Sequence, residues 1–161
     1  MDVEVKQLLA LIDQAYDHTS WHGTNLRGSI RRVTLDQAMR RPRPSRHNIW
    51  ETVVHAAYWK YAAFRRFTGD TRGSFPLKGS NWFRRPTDKT ENAKSEAAWK
   101  ADIALLDDMH ATLRRTVARL SARDLSKTPA GSKVSNFALL SGVAAHDLYH
   151  AGQIQLLKKL I

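Results

Sequence analysis

Two histidines four residues apart, His146 and His150, lie in the last apolar segment of the chain. Residues at this spacing project from the same side of an α-helix, so the two imidazoles can bind one metal ion together. Heptads written over residues 139–160 give two rows expected to face a core: Leu139, His146, Gln153 and Leu160 in one, Val143, His150 and Leu157 in the other. Polar groups in such rows are costly unless they are paired. The pattern therefore predicts a metal site or a hydrogen-bonded pair of core histidines.

A third protein ligand would have to come from another helix, because metal sites with an open coordination position commonly use three. His55 is the leading candidate, since it lies in the middle of a long apolar segment, at a depth that matches the pair in the last helix. His18 and His22 are also four residues apart, but they span the expected end of the first helix, and we do not expect them to bind a metal. His47 and His110 are expected to be surface or capping residues.

Further side chains near the histidines are candidates for the pocket. Gln153 lies one turn beyond His150 and is placed to reach a bound ligand, to fix a histidine tautomer or to complete an internal polar network. Asp147 points about 100° away from His146, and we expect it either to orient a metal ligand or to pair with surface arginines. Three aromatic residues either line the pocket or form plain core: Tyr58, Trp59 and Tyr149. No residue stands out as a general base, so no catalytic residue is assigned.

The elements that would position these residues are helices. Apolar residues at helical spacing predict four long helices over residues 3–18, 48–68, 89–120 and 136–161, and a short helix over residues 34–40. Asp88 and Glu91 resemble a capping box for the third long helix, and Ser135 or Asn136 can cap the fourth. No alternating strand pattern of useful length occurs. We therefore expect an all-α fold, a four-helix bundle with long connections, in a single domain spanning residues 1–161.

The amino-acid composition excludes some kinds of chemistry for this protein. The chain has no cysteine, so it has no thiolate nucleophile and no cysteine zinc site, and any thiol would have to be a co-substrate. It shows no signal-peptide pattern and no apolar run long enough to span a bilayer, so we expect a cytoplasmic protein. The net charge of +11 is expected to reflect a solvated basic face. One hypothesis is that arginines of residues 40–46 bind the carboxylates of an acidic thiol.

The histidine segments resemble a known family. The segment from His146 to Ile154 is similar to the C-terminal signature of the DinB-like superfamily of metal-binding four-helix bundles. Residues 46–59 resemble that family's second-helix motif, whose histidine is a metal ligand. Two tryptophan segments agree as well, at residues 21–23 and at residues 81–82 with Trp99. The resemblance covers essentially the whole chain. It implies that His55, His146 and His150 bind a divalent metal at the end of a pocket between helices, in a protein that is often dimeric.

The resemblance also suggests a class of reaction. Members with known activity resemble thiol-dependent transferases and isomerases that use bacterial low-molecular-weight thiols. We therefore expect a metal-dependent enzyme with a small-molecule substrate, a thiol co-substrate and a homodimeric assembly. Zinc is favoured as the metal over nickel, iron or manganese. The alternatives are a hydrolase in the same pocket, a non-catalytic stress-response protein stabilised by its metal, and, with least support, a basic nucleic-acid-binding module, for which no recognised DNA-binding motif is present.

Overall fold

The structure is a computed structural model that describes residues 1–87 and 92–161, apart from the side chains of residues 92–94. These residues form seven helices and no strand: α1 (Val3–Tyr16), α2 (Leu26–Ser29), α3 (Leu35–Met39), α4 (Ile49–Thr68), α5 (Asn92–Val117), α6 (Ala122–Ser126) and α7 (Asn136–Leu160). The all-α prediction is confirmed. None of the described helices is both long enough and apolar enough to cross a membrane.

The four long helices pack side by side around the core. Helix α4 contacts α5 and α7, and α1 contacts α7 and α5. The buried apolar side chains fall into two clusters, one around the first half of α4 and one around α1 and the start of α7. The short helices α2, α3 and α6 lie in the long connections, and the sequence predicted only α3, whose N-terminus has the capping box of Thr34 and Gln37.

Helix α4 is the most deeply buried element. It begins after Asn48, whose side chain accepts a hydrogen bond from the backbone N–H of Glu51, and it ends at Gly69, which adopts a left-handed conformation with φ of 69°. Arg65 and Arg66 in its last turn complement the helix dipole. The predicted bounds are confirmed. Burial on several sides places His55 in the interior, about one and two-thirds turns from the N-terminus of the helix.

Helix α7 has a register that differs from the heptads read from the sequence. Its buried face is centred on a row one position away from the predicted one: Leu140, Asp147 and Ile154. The predicted row lies at the edge of that face, where His146 and Gln153 are half-buried and Leu160 is exposed. The second predicted row is correct for Val143 and His150, which are buried. Burying an aspartate at the centre of a core row is costly unless its carboxylate has a partner.

That partner is Lys60 of α4, which is fully buried and donates a hydrogen bond to Asp147. The ammonium nitrogen of Lys60 also lies 4.7 Å from the ring centroid of Tyr16 on α1. Burial raises the pKa of Asp147, and the ammonium group opposes that rise. The expectation that Asp147 pairs with surface arginines is wrong, because its described partner is a buried lysine, and no described hydrogen bond joins it to a histidine of the last helix. The pair instead fixes α4 against α7 beside the histidines.

The connection after α4 folds back over the same helices. Phe75 and Phe83 are buried against Tyr58, and they hold the segment in place. Between them Asn81 adopts a positive φ of 62°, which turns the backbone towards α4. The predicted capping box of residues 88–91, and with it the predicted start of the third long helix, lies outside the described residues. The described part of α5 ends at Val117, three residues before the predicted end.

Candidate metal centre

The structure brings His55, His146 and His150 together between α4 and α7. The Nε2 atom of His146 lies 3.2 Å from Nε2 of His55 and 3.0 Å from Nε2 of His150. One nitrogen from each ring lies within 4.8 Å of the others, so the three residues could hold a metal ion. His55 and His150 are buried, whereas His146 is half-buried because it lies at the edge of the buried face of α7.

Hydrogen bonds fix the tautomers of two of the rings. Nδ1 of His55 lies 2.8 Å from the carbonyl oxygen of Asn81, and Nδ1 of His150 lies 2.7 Å from Oε1 of Gln153. Both partners are oxygen acceptors, so each Nδ1 carries the hydrogen and donates it. The Nε2 atoms of His55 and His150 are then left with lone pairs, and both lone pairs face His146.

This arrangement fits a cation. Nε2 of His146 can donate one hydrogen at most, so it cannot satisfy the lone pairs of both His55 and His150. Burial lowers the pKa of His146 to about 3 and that of His150 to about 4, and it lowers the pKa of His55 as well. The rings are therefore neutral near pH 7. Three neutral imidazoles whose Nε2 atoms converge are a donor set for a divalent transition metal, and three protein ligands leave a position open.

Aromatic rings close one side of the histidine cluster. The ring of Trp82 stacks on His55 with centroids 3.8 Å apart, and on its other face it stacks on His47 at 3.6 Å. Trp59 donates a hydrogen bond of 3.0 Å to Oδ1 of Asn81, the residue whose carbonyl accepts from His55. Neither Asn81 nor Trp82 is among the site residues predicted from the sequence. The tryptophan segment at residues 81–82 was the available signal.

The five predicted neighbours of the histidines have different positions. Gln153 fixes the tautomer of His150, and Trp59 packs edge-on to His146 with centroids 6.3 Å apart. Tyr149 has an edge contact with His150 but is 63% exposed. Tyr58 belongs to the aromatic cluster with Phe75 and Phe83, so it forms core rather than pocket. Asp147, the fifth, is directed to Lys60.

The remaining histidines lie outside the cluster. His18 and His22 are exposed beyond the end of α1, and His18 contacts the carboxylate of Asp17. The prediction for His110 is wrong: it is buried and stacks on Tyr16 with centroids 3.7 Å apart. Burial lowers the pKa of His110 to about 2. The sequence suggested a surface residue because the neighbouring Asp107 is polar, but Asp107 accepts a hydrogen bond from Tyr16.

Two concave surfaces lie near the histidine cluster, and one of them includes His146. A basic cavity of about 440 Å³ is lined in part by Arg41, Arg84, Arg85 and His47. It is separated from His55 by the stacked rings of His47 and Trp82. The second surface is a mostly apolar groove of about 240 Å³ between α4 and α7, and His146 forms part of its wall.

The arginines of residues 40–46 do not act as one group. Arg41 donates hydrogen bonds to Glu51 and to the carbonyl oxygen of Arg46. Burial disfavours a charged Glu51, but the hydrogen bonds from His47 and Arg41 lower its pKa overall. Arg43 and Arg46 line a different cavity, beside Leu160. Arg41 therefore lines one cavity, whereas Arg43 and Arg46 line another.

Of the comparisons with known proteins, one gives a match. No curated protein and no solved structure matches the chain. Residues 18–154 match the model of a protein family that is described as the DinB superfamily. These residues include all three clustered histidines. Because that match covers well over half of the chain, the protein belongs to the DinB superfamily.

Proposed function

We propose that this protein is a metal-dependent enzyme that joins a low-molecular-weight thiol, through its sulfur, to an electrophilic small molecule, with the metal bound by His55, His146 and His150. The observation that carries the proposal is the convergence of three Nε2 atoms, two of which have lone pairs fixed by hydrogen bonds at Nδ1. Zinc suits such a set, since it accepts three imidazoles and keeps one position for an exogenous ligand.

A divalent ion at this position would supply Lewis acidity, which lowers the pKa of a bound water or thiol. The residues of the chain prepare the site for it. Asn81 and Gln153 hold two imidazoles with Nε2 facing inwards, and burial keeps the rings neutral. Trp82 covers one face of His55 and excludes water from that side.

A thiol co-substrate fits the composition of the chain. With no cysteine, the protein cannot provide a sulfur nucleophile of its own. In the proposed reaction the thiol loses its proton to solvent and its sulfur forms a bond to an electrophilic carbon. The leaving group departs from that carbon with the bonding electrons. Superfamily membership supports this choice, because characterised members resemble thiol-dependent transferases and isomerases.

The basic cavity is the proposed site for the carboxylates of the thiol. Arg84 is exposed at its rim, and Arg85 is half-buried with its guanidinium 2.8 Å from Asp102. Since Arg41 is already paired with Glu51, we assign the carboxylate contact chiefly to Arg84. Replacing Arg84 with Gln should raise KM for an acidic thiol such as glutathione and leave KM for uncharged 2-mercaptoethanol unchanged. Equal KM values for glutathione in both proteins would remove this part of the proposal.

The reaction itself is tested by a conjugation assay. Zinc-loaded protein is incubated with glutathione, cysteine or 2-mercaptoethanol and an activated haloarene, with and without a chelator. We expect a rate above the uncatalysed reaction that is lost on chelation and in His146→Ala. The control is His22→Ala, which removes an exposed histidine from outside the cluster and should retain the rate.

Other outcomes of this assay separate the alternatives. Turnover that is unaffected by the chelator would contradict the proposal. Hydrolysis of an activated ester that depends on the metal, with no conjugation by any thiol, would indicate a hydrolase in the same site. A protein that binds zinc and is stabilised by it but is inactive in both assays would indicate a structural metal.

A further inference from the structure

The apolar groove between α4 and α7 begins at the histidine cluster. On the α4 side it is lined by Trp59, Ala63 and Arg66, which are four and three residues apart and so share one face of the helix. From α7 it receives, among others, Gly142 and His146, which are four residues apart. Each wall is therefore one helix face, and one wall ends in a histidine of the cluster.

The two ends of the groove differ in chemistry. Trp59 marks the histidine end, because its ring centroid lies 6.3 Å from those of His55 and His146. Arg66 marks the other end. Arg66 lies seven positions after Trp59 on the helix, which corresponds to roughly 10 Å along its axis. Arg66 is exposed and forms no salt bridge with any of the described residues.

The residues that line the groove indicate which kind of ligand it could bind. Its walls between the two ends are mostly apolar and include Ala63 and Val143. An extended ligand would meet the histidines at one end, apolar walls in the middle and a guanidinium at the other end. Arginine pairs well with a carboxylate, so charge complementarity favours an anionic group at that end.

We propose that this groove is the substrate subsite of the enzyme, and that it selects small molecules with a metal-binding or electrophilic head, an apolar middle and a terminal carboxylate. Gly142 sets the width of the groove. The inference rests on the proposed function, since it takes the histidine cluster as the metal site. It adds the substrate class and one residue that determines specificity.

The backbone at Gly142 shows why a larger residue would matter. A Cβ atom built there meets no heavy atom within 4 Å, so a side chain would enter open space in the groove rather than clash with the fold. Gly152 on the same helix is exposed, has the same freedom and does not line the groove. Gly142→Leu therefore fills the proposed subsite, and Gly152→Leu is its matched control.

The test measures binding rather than turnover. Protein loaded with Co²⁺ is titrated with straight-chain hydroxamates from acetohydroxamate to octanohydroxamate, and Kd is read from the visible absorption of the cobalt. We expect Kd to fall about fourfold for each added methylene that enters the groove. In Gly142→Leu the dependence on chain length should be lost while Kd for acetohydroxamate is retained. Gly152→Leu should keep the dependence of the unmodified protein.

A second titration tests the anionic end. Octanohydroxamate is compared with the hydroxamate of the same length that ends in a carboxylate. We expect the carboxylate to tighten binding severalfold, and Arg66→Gln to abolish that gain without changing the dependence on chain length. Arg119→Gln, which removes an exposed arginine from outside the groove, should keep the gain.

The outcomes separate this inference from the proposed function. If cobalt binds and acetohydroxamate perturbs its spectrum, but Kd does not vary with chain length, the groove is not the subsite. If the carboxylate gives no gain in the unmodified protein, the assigned substrate class is wrong. If cobalt does not bind or its spectrum does not respond to acetohydroxamate, the proposed metal centre fails, and the subsite inference fails with it.

Discussion

At the scale of single residues, the centre depends on acceptors that are not themselves histidines. The carbonyl oxygen of Asn81 and Oε1 of Gln153 decide which nitrogen of His55 and of His150 carries the hydrogen. Without them, either ring could place an N–H instead of a lone pair towards the centre. The hydrogen bonds at Nδ1 therefore orient the Nε2 lone pairs that would bind an ion.

The first prediction concerns Gln153. Replacing it with Leu removes the acceptor at Nδ1 of His150, so the ring loses its preferred tautomer and orientation, and we expect zinc affinity to fall about 10- to 100-fold. The measurement is a competition titration against a chelating dye. Gln155→Leu, a change of the same kind two residues further along α7, is the control. Equal affinities in the two variants would show that Gln153 has no role in orienting His150.

The sequence was informative about individual residues whose chemistry is unusual for their position. His146 and His150 are unexpected in an apolar helix, and His55 lies at a matching depth, so the cluster could be predicted. Asn81 contributes through its backbone carbonyl, which any residue type possesses, and no side-chain pattern reports such a contact. His110 was assigned to the surface because burial of a histidine by stacking on Tyr16 depends on the tertiary fold.

At the scale of elements, a buried pair of charges joins α4 to α7. Lys60 and Asp147 are both fully buried, with side-chain exposures of 0% and 1%. They lie five residues beyond His55 and one residue beyond His146, respectively. A shift of either helix would separate this pair and the histidines together. The ion pair thus supports the geometry of the centre without contacting a bound ion.

The second prediction tests this coupling. Lys60→Met leaves the carboxylate of Asp147 buried without its partner, and we expect the free energy of unfolding to fall by about 3–5 kcal/mol. The double variant Lys60→Met with Asp147→Leu removes both charges and should recover most of that loss. Urea unfolding of the zinc-free proteins gives the comparison. A double variant no more stable than the single one would contradict the account of the pair.

The elements themselves were largely predictable, but their register was not. Caps and apolar periodicity indicated α1, α4 and α7. Gly69 ends α4 as predicted, and of the two predicted caps for α7 the structure has Ser135 rather than Asn136. The core row predicted for α7 lies one position away from the observed row, because Asp147 is at the centre of the observed row. Hydrophobic periodicity ranks an aspartate as exposed, and only a residue 87 positions away in the chain makes it a core residue.

At the scale of the whole molecule, burial of neutral histidines makes stability depend on pH. The pKa of His110 is lowered to about 2, that of His146 to about 3 and that of His150 to about 4, whereas an unfolded histidine has a pKa of about 6.5. The unfolded chain therefore binds more protons than the folded chain between those values. Stability is present above pH 6.5 and is lost as the pH falls towards the folded-state values.

The third prediction follows from this loss of stability at low pH. The free energy of unfolding of zinc-free protein should decrease from pH 7 to pH 5, and His110→Phe should reduce the slope by up to about one proton, since it removes one of the buried groups. Phenylalanine can retain the stacking on Tyr16. Denaturant unfolding across this pH range gives the slopes. The prediction fails if His110→Phe and the unmodified protein have the same slope.

A bound ion should stabilise the whole fold because it joins α4 to α7. Ligand binding to the folded state raises stability in proportion to the logarithm of ligand concentration over Kd. As a fourth prediction, we expect a chelator to lower Tm of the zinc-loaded protein and to leave Tm of His146→Ala unchanged. Differential scanning fluorimetry gives both values. A chelator effect of equal size in the two proteins would place the stabilising ion elsewhere.

Elemental analysis of purified, zinc-equilibrated protein shows whether these three histidines bind the metal. We expect about one zinc per chain in the unmodified protein and in the double variant His18→Ala with His22→Ala, which removes the exposed pair. His55→Ala, His146→Ala and His150→Ala should each lose nearly all of it while circular dichroism shows an unchanged helix content. Folded His146→Ala that retains one zinc per chain would contradict the account.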